Sequence, residues 1–293
     1  MEIFLEILHV LGHSALDTLK LIPFLFLTYL LMEFLEHKTG GKLEKALRRA
    51  GRLGPVAGGI LGAVPQCGFS AAISGLYAGR VVTPGALIAV FLATSDEMIP
   101  VAVAGAASPL FILKVLGFKV GIGIAVGLLT DLIVFALARG KREEGIESLC
   151  EEAHCGCEKG IWRSAIHHTL QVGLFLYLIT VVLTGLIETL GEESIADWFV
   201  HFPVVGPIVA ALVGLIPNCA SSVVITRLYL DGVLSGGCLM AGLLSGAGVG
   251  LLVLFRVNHR HLKENLLILA TVFAVGAITG ILFDLTGLSA VLR

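Results

Sequence analysis

Charge is scarce in this sequence. Of its 293 residues only 14% are Asp, Glu, Lys or Arg, against roughly 25% in a soluble domain, and its mean hydropathy is +0.95. That scarcity excludes a sizeable soluble catalytic domain. A net charge of -2 says nothing about nucleic acid, but no basic or aromatic array suggests such a partner, and none is expected. No Walker-type glycine-lysine loop occurs, so nothing points to ATP as an energy source. The six cysteines make no secreted disulfide pattern: Cys67, Cys219 and Cys238 fall in apolar segments, and Cys150, Cys155 and Cys157 share one loop. The opening "MEIFLEILHVLGH" lacks the basic region and small-residue cleavage site of a signal peptide. With Ile3, Phe4, Ile7, Leu8 and Leu11 opposite Glu2, Glu6 and His9, it reads as an interfacial amphipathic helix.

What the sequence has in plenty is apolar runs. Stretches near the about 20 residues that a bilayer requires cover 15–35, 84–107, 116–138, 169–187, 236–255 and 266–285. Two more, 54–77 and 206–229, are long enough but interrupted by "PQCG" (Pro65 to Gly68) and "PNCASS" (Pro217 to Ser222). The expectation is an all-α polytopic membrane protein in contact with lipid, and not an enzyme. A homo-oligomer is left open.

Shifted by 152 residues, the sequence matches itself. Gly54, Pro55, Pro65, Cys67, Ser70 and Tyr77 meet Gly206, Pro207, Pro217, Cys219, Ser222 and Tyr229, and the match runs on through Gly85/Gly237 and Leu92/Leu244. "GLLTDL" at Gly127 resembles "GILFDL" at Gly280, so Asp131 and Asp284 occupy equivalent places, suited to holding neighbouring helices. The expected organisation is a first membrane repeat over 1–142, a linker over 143–159 and a second repeat over 160–293.

Loop charge orients the halves. "HKTGGKLEKALRRAGR" after the first segment carries six Lys or Arg and should be cytoplasmic, whereas its counterpart "TLGEESIADWFVHFP" has none. Inverted repeats need an odd number of crossings each, yet each half has four segments. The parity is resolved if each interrupted segment is a re-entrant hairpin of two short helices. Three transmembrane helices plus one broken hairpin per repeat gives about ten membrane elements, with both termini outside the cytoplasmic membrane. The alternative, kinked full spans in parallel repeats, leaves the basic and acidic loops on the same side.

Broken backbone at membrane depth must be buried in protein or line a cavity. The two hairpin tips offer Gln66, Cys67 and Ser70 from one repeat and Asn218, Cys219 and Ser222 from the other, with freed carbonyls and helix termini beside them. As a structural alternative they are packing kinks with small apolar cysteines. "ATSDEMIP" adds Ser95, Asp96 and Glu97, where the second repeat has Ala247, Gly248 and Val249. Each charge at membrane depth costs about 2.5 to 3.5 kcal/mol on insertion scales, so the acids should pair, bind a cation or take up a proton. Pro100 should free the Asp96 carbonyl as a further ligand. Asp17 and Lys20 are spaced for an ion pair on one helix face or for gating; Glu33 belongs with them. Cys150, His154, Cys155 and Cys157, among glutamates, read either as an accessory cytoplasmic metal loop or as a solvated linker.

On "DTLKLIPFLFLTYLLMEFLEHK", "PQCGFSAAISGLY", "LATSDEMIP", "IPNCASS", "TRLYLDG" and "GLLVLFRVN" the chain resembles, over essentially its full length, the ten-helix heavy-metal exporters of bacteria and archaea. These are known variously as arsenic efflux proteins and manganese transporters. The resemblance implies export of a metal or metalloid, as transported ligand and not as resident cofactor. The expected function is secondary export of a divalent ion, Mn2+ or a heavier metal, by proton exchange through Asp96 or Glu97. An arsenite or organoarsenical permease using Cys67 and Cys219 is the main alternative, and a membrane thiol redox protein a more distant one.

Overall fold

A computed structural model describes residues 53–64, 67–95, 98–137, 161–190, 205–217 and 219–292, with part of 11–30. Among these residues the secondary structure is helical, with no strand. The helices are α1 (Gly54–Gly62), α2 (Cys67–Ala78), α3 (Pro84–Ala93), α4 (Met98–Ala104), α5 (Pro109–Leu137), α6 (Ile161–Leu190), α7 (Gly206–Gly214), α8 (Cys219–Leu230), α9 (Gly236–Ser245), α10 (Val249–Val257), α11 (Leu262–Leu285) and the short α12 (Ser289–Leu292).

Proline starts several of these helices. Pro55, Pro84 and Pro207 each sit in a first turn, where the missing N–H has no helical partner to lose. The starts of α3 and α9 are then fixed by matching networks. Asp131 on α5 accepts from Thr83 Oγ1 at 2.6 Å and from Gly85 N at 2.8 Å, while Thr83 Oγ1 accepts from Ala86 N as the N-cap. Asp284 on α11 does the same for Ser235 Oγ at 2.6 Å and Gly237 N at 2.9 Å, with Ser235 capping Cys238 N. The negative charge also faces the positive end of each helix dipole.

Glycine lets these helices meet backbone to backbone. A side chain on Gly85 would run into the Gly127 carbonyl and Asp131, and one on Gly237 into the Gly280 carbonyl and Asp284. Around each contact a three-helix unit forms: α1, α3 and α5 in one half, α7, α9 and α11 in the other. Small residues in place of leucine are what membrane helices use to pack when the surrounding lipid is as apolar as they are.

The same contacts show how each proline hairpin runs. Gly54 lies against Ala86 and Thr83, and α2 ends at Ala78, just before Thr83, so both ends of the α1–α2 hairpin lie at the start of α3. Gly62, at the far end of α1, abuts Val90 and Ala93 at the end of α3. Nine residues of helix reach only about 14 Å, less than half the hydrocarbon thickness. In the second half Gly206 meets Cys238 while Gly214 meets Gly242 and Ser245, repeating the arrangement.

Two full-length helices measure the distance between the hairpin openings. On α11, Glu264 accepts from Tyr77 and Arg80 at the end of α2, and Asp284, five turns later, holds the start of α9. On α5, Phe111 stacks on Tyr229 near the end of α8 with ring centroids 5.4 Å apart, and Asp131, equally far along, holds the start of α3. At 1.5 Å per residue each interval is about 30 Å, a bilayer core. The hairpins therefore open at opposite ends of the bundle.

The runs 84–107 and 236–255 each hold a stretch long and apolar enough to cross a membrane, but the helix within each is interrupted. Helix α3 stops at Ala93, Thr94 is extended at ψ 127°, and α4 begins at Met98; α9 stops at Ser245 and α10 begins at Val249. Gly248 takes φ +55°, which an L side chain rarely adopts, and this ends any helical continuation. Pro100 accordingly sits in the first turn of α4 instead of kinking a longer helix. These broken elements are the most enclosed: windows across α3/α4 and α9/α10 are 75% and 83% buried, against 22% and 33% for α5 and α11.

Replacing Asp131 or Asp284 with Ala should each lower stability by about 2 kcal/mol, the loss of two bonds to a charged acceptor. Because the sites lie about 30 Å apart, the double variant should lose the sum. Thermal unfolding in detergent measures this, and a markedly non-additive double variant would contradict independent anchoring of α3 and α9.

Candidate functional site

Four helix breaks meet halfway between the two ends. Helices α1, α3, α7 and α9 end there, and α2, α4, α8 and α10 start there. The halves exchange partners across this level: α2 packs on α10 of the other half, and α8 on α4. Ser74 Oγ lies 2.8 Å from both the Ser70 and Gly250 carbonyls, joining α2 to the first turn of α10. Gly250 is needed for that approach, because a Cβ there would stand 2.7 Å from Ser70 Cβ and 2.8 Å from Phe91 Cε1.

Hydroxyls line the region without access to bulk water. Ser70 and Ser245 are fully enclosed, and Thr94 and Ser95 nearly so. Thr94 Oγ1 donates to Val90 O at 2.7 Å, Ser95 Oγ to Ala93 O at 3.0 Å, and Ser245 Oγ to Ala241 O at 2.8 Å. Each hydroxyl uses its proton on a carbonyl in the last turn of a broken helix and keeps its lone pairs, so it remains an oxygen donor toward a cation. Ser221 reaches Ile216 O at 3.3 Å, and Ser222 is half-buried on α8.

The residue that sequence reasoning missed is Lys119. It lies in the middle of α5 with no exposure, and its ammonium donates to the carbonyl of Thr94 and, at 2.7 Å, to that of Leu243. One side chain thus ties the break in α3 to the break in α9. A lysine at a helix centre costs about 2.5–3.5 kcal/mol to insert, and negative helix ends offset that cost. The signal was present as one cation within the apolar run 116–138, the kind of residue that marks a functional position by default.

Of the expected site residues, Ser70 and Ser95 lie at this level, as does the chain at Cys67 and Cys219, the first residues of α2 and α8. Gln66, Asp96, Glu97 and Asn218, together with the side chains of Cys67 and Cys219, lie outside the described residues. So do Asp17, Lys20, Glu33 and the loop residues Cys150, His154, Cys155 and Cys157. Among the described residues no group of three or more His, Cys, Asp or Glu is arranged to hold a metal.

One end of the bundle carries a polar cluster between α2 and α11, and the other an aromatic pair between α5 and α8. Arg80 contacts Glu264 at 2.8 Å and Tyr77 donates to the same carboxylate at 2.9 Å. At the opposite end Tyr229, the counterpart of Tyr77, lies on Phe111 with the rings nearly parallel.

The profile of the family described as "Putative, 10TM heavy-metal exporter" matches residues 13–191 and again 157–293. No curated protein and no solved structure gives a significant match. The chain belongs to that ten-helix exporter family and is a multi-pass membrane protein.

Gly250→Val should separate α2 from α10, lowering stability by about 1–3 kcal/mol through overpacking. Gly248→Ala should be strained by its positive φ even though the substitution is small. Thermal unfolding of both variants, beside an exposed-site control such as Leu267→Ala, measures this; wild-type melting in Gly250→Val would contradict the close approach.

Proposed function

Proceeding from membership in the exporter family, we propose that this protein carries a divalent metal ion, Mn2+ or a heavier metal, out of the cell across the cytoplasmic membrane. The observation that carries the reading is the meeting of four helix breaks at one buried level, with Ser70, Thr94, Ser95 and Ser245 enclosed there. Paired broken helices from two related halves are how secondary transporters build a site that both sides of the membrane can reach in turn.

On this reading the halves are inverted-topology repeats, a description supported by hairpins that open at opposite ends of the bundle. The end carrying Arg80, Arg256, Arg260 and Lys263 is cytoplasmic by the positive-inside rule, which leaves both termini outside. The ion binds between the hairpin tips, with Gln66, Cys67, Asn218, Cys219, Ser70 and Ser222 around it and Asp96 and Glu97 supplying charge. Proton exchange at Asp96 or Glu97 restores the empty state; Asp17, Lys20 and Glu33 take part in coupling or gating. The loop with Cys150, His154, Cys155 and Cys157 gathers metal on the cytoplasmic side. Rocking of α2 and α10 against the glycine-packed units alternates access.

A second reading, arsenite or organoarsenical export, draws on the position of Cys67 and Cys219 at matching helix starts, where two thiols could serve a soft ion.

Cellular metal content by mass spectrometry, with and without the gene under manganese, zinc, cadmium or arsenite stress, tests both. A strain lacking the gene should retain a divalent metal, and Asp96→Asn should behave like the deletion. Cys67→Ser with Cys219→Ser should leave manganese export within a few fold. Unchanged metal content on deletion contradicts export, and loss of arsenite resistance alone in the cysteine variant favours the second reading.

A further inference from the structure

The two hairpins end on contacts that occupy equivalent places and differ in chemistry. Tyr77, near the end of α2, donates to Glu264 on α11 at 2.9 Å, while its counterpart Tyr229 on α8 stacks on Phe111 of α5. On the register that pairs Asp131 with Asp284, Phe111 is the counterpart of Glu264. The duplication therefore kept the place of contact, from the second helix of each hairpin to the long helix of the other half. What differs is the chemistry placed there.

The turn after each contact differs in the same way. Helices α2 and α8 end on the same bonds: Val81 N donates to Leu76 O and Arg80 N to Tyr77 O, as Val233 N does to Leu228 O and Gly232 N to Tyr229 O. Such a turn needs a left-handed residue and ordinarily takes glycine. The second half has Gly232 at φ +79°, whereas the first has Arg80 at φ +57°, a conformation that costs a residue with a side chain. What Arg80 reaches from there is Glu264, 2.8 Å away, and its guanidinium also lies 5.5 Å from the centre of the Tyr77 ring. With Arg80 10% exposed and Glu264 37%, the pair is partly withdrawn from water and only partly screened by salt. Charge thus joins α2 to α11 at one end, and ring contact joins α8 to α5 at the other.

Rocking of α2 against the unit that contains α11 must break the first contact, and the equivalent movement of α8 against α5 must break the second. With halves that are inverted copies, each movement opens a different face of the membrane. We infer that these two contacts are the gates of the transport path: an ionic gate of Arg80, Glu264 and Tyr77 on one face, and an aromatic gate of Phe111 and Tyr229 on the other. This rests on the alternating-access reading above and adds to it the residues that control each face, whichever ion is carried.

The test uses a Ser245→Cys reporter, at a position with no exposure at the level of the helix breaks, in the full-length chain without other cysteines. Its reaction with a small, impermeant methanethiosulfonate cation is timed in right-side-out and in inverted vesicles without added metal, and should be slow from both faces. Glu264→Gln keeps an acceptor for Tyr77, and Arg80→Gly suits the left-handed turn. Each should speed the reaction about tenfold in inverted vesicles, as expected for loss of a charged hydrogen bond, and leave right-side-out vesicles within about twofold. Phe111→Ala should do the reverse, by about fivefold. No change in the two charge variants, an equal rise from both faces as general loosening would give, or Phe111→Ala acting on the same face as they do overturns the inference. The export reading fails separately: unchanged cellular metal content on gene deletion would refute the cargo and leave one-sided labelling standing.

Discussion

A helix cannot stop in hydrocarbon unless something receives its last carbonyls and first amides. This protein stops helices at four places on one level, and most of what is distinctive in it follows from how those ends are satisfied. Thr94, Ser95 and Ser245 turn their hydroxyls back onto the final turns, Ser74 bridges to Gly250, and Lys119 takes carbonyls from both halves. None of these groups reaches bulk water, so each pairing must be made within the protein.

Satisfying the breaks requires the surrounding helices to stay in place, and glycine together with two aspartates does this. Asp131 and Asp284 fix where α3 and α9 begin, about 14 Å from where each ends, and the glycine contacts fix their distance from α5 and α11. Two rigid three-helix units result. Helices α2 and α10 reach the same core through Tyr77, Leu251 and Leu254, form a smaller apolar cluster with α6, and meet α11 where Arg80 and Tyr77 donate to Glu264.

Much of this was legible in the sequence. Helical class follows from apolar length, and the repeat, offset by 152 residues at the hairpins and by 153 at the aspartates, located both hairpins and both capping aspartates, since the residues that force a break or hold a cap are chemically distinctive. The breaks after Ala93 and Ser245 were not legible to a hydropathy reading, because Thr94, Ser95, Gly246 and Gly248 are small and barely lower the average. Lys119 was passed over for a related reason: one charge in a long apolar run changes the mean little, and its carbonyl partners come from segments remote in sequence. What hydropathy averages away, main-chain satisfaction brings back.

The central claim is that two similar hairpins approach one buried level from opposite sides of the membrane. It is tested most directly by placing single cysteines at Arg80 and Val233, each just beyond a hairpin's second helix, in a cysteine-free background. A membrane-impermeant maleimide should label the Val233→Cys protein in right-side-out vesicles and the Arg80→Cys protein only in inverted ones. Labelling of both from the same side would contradict the account.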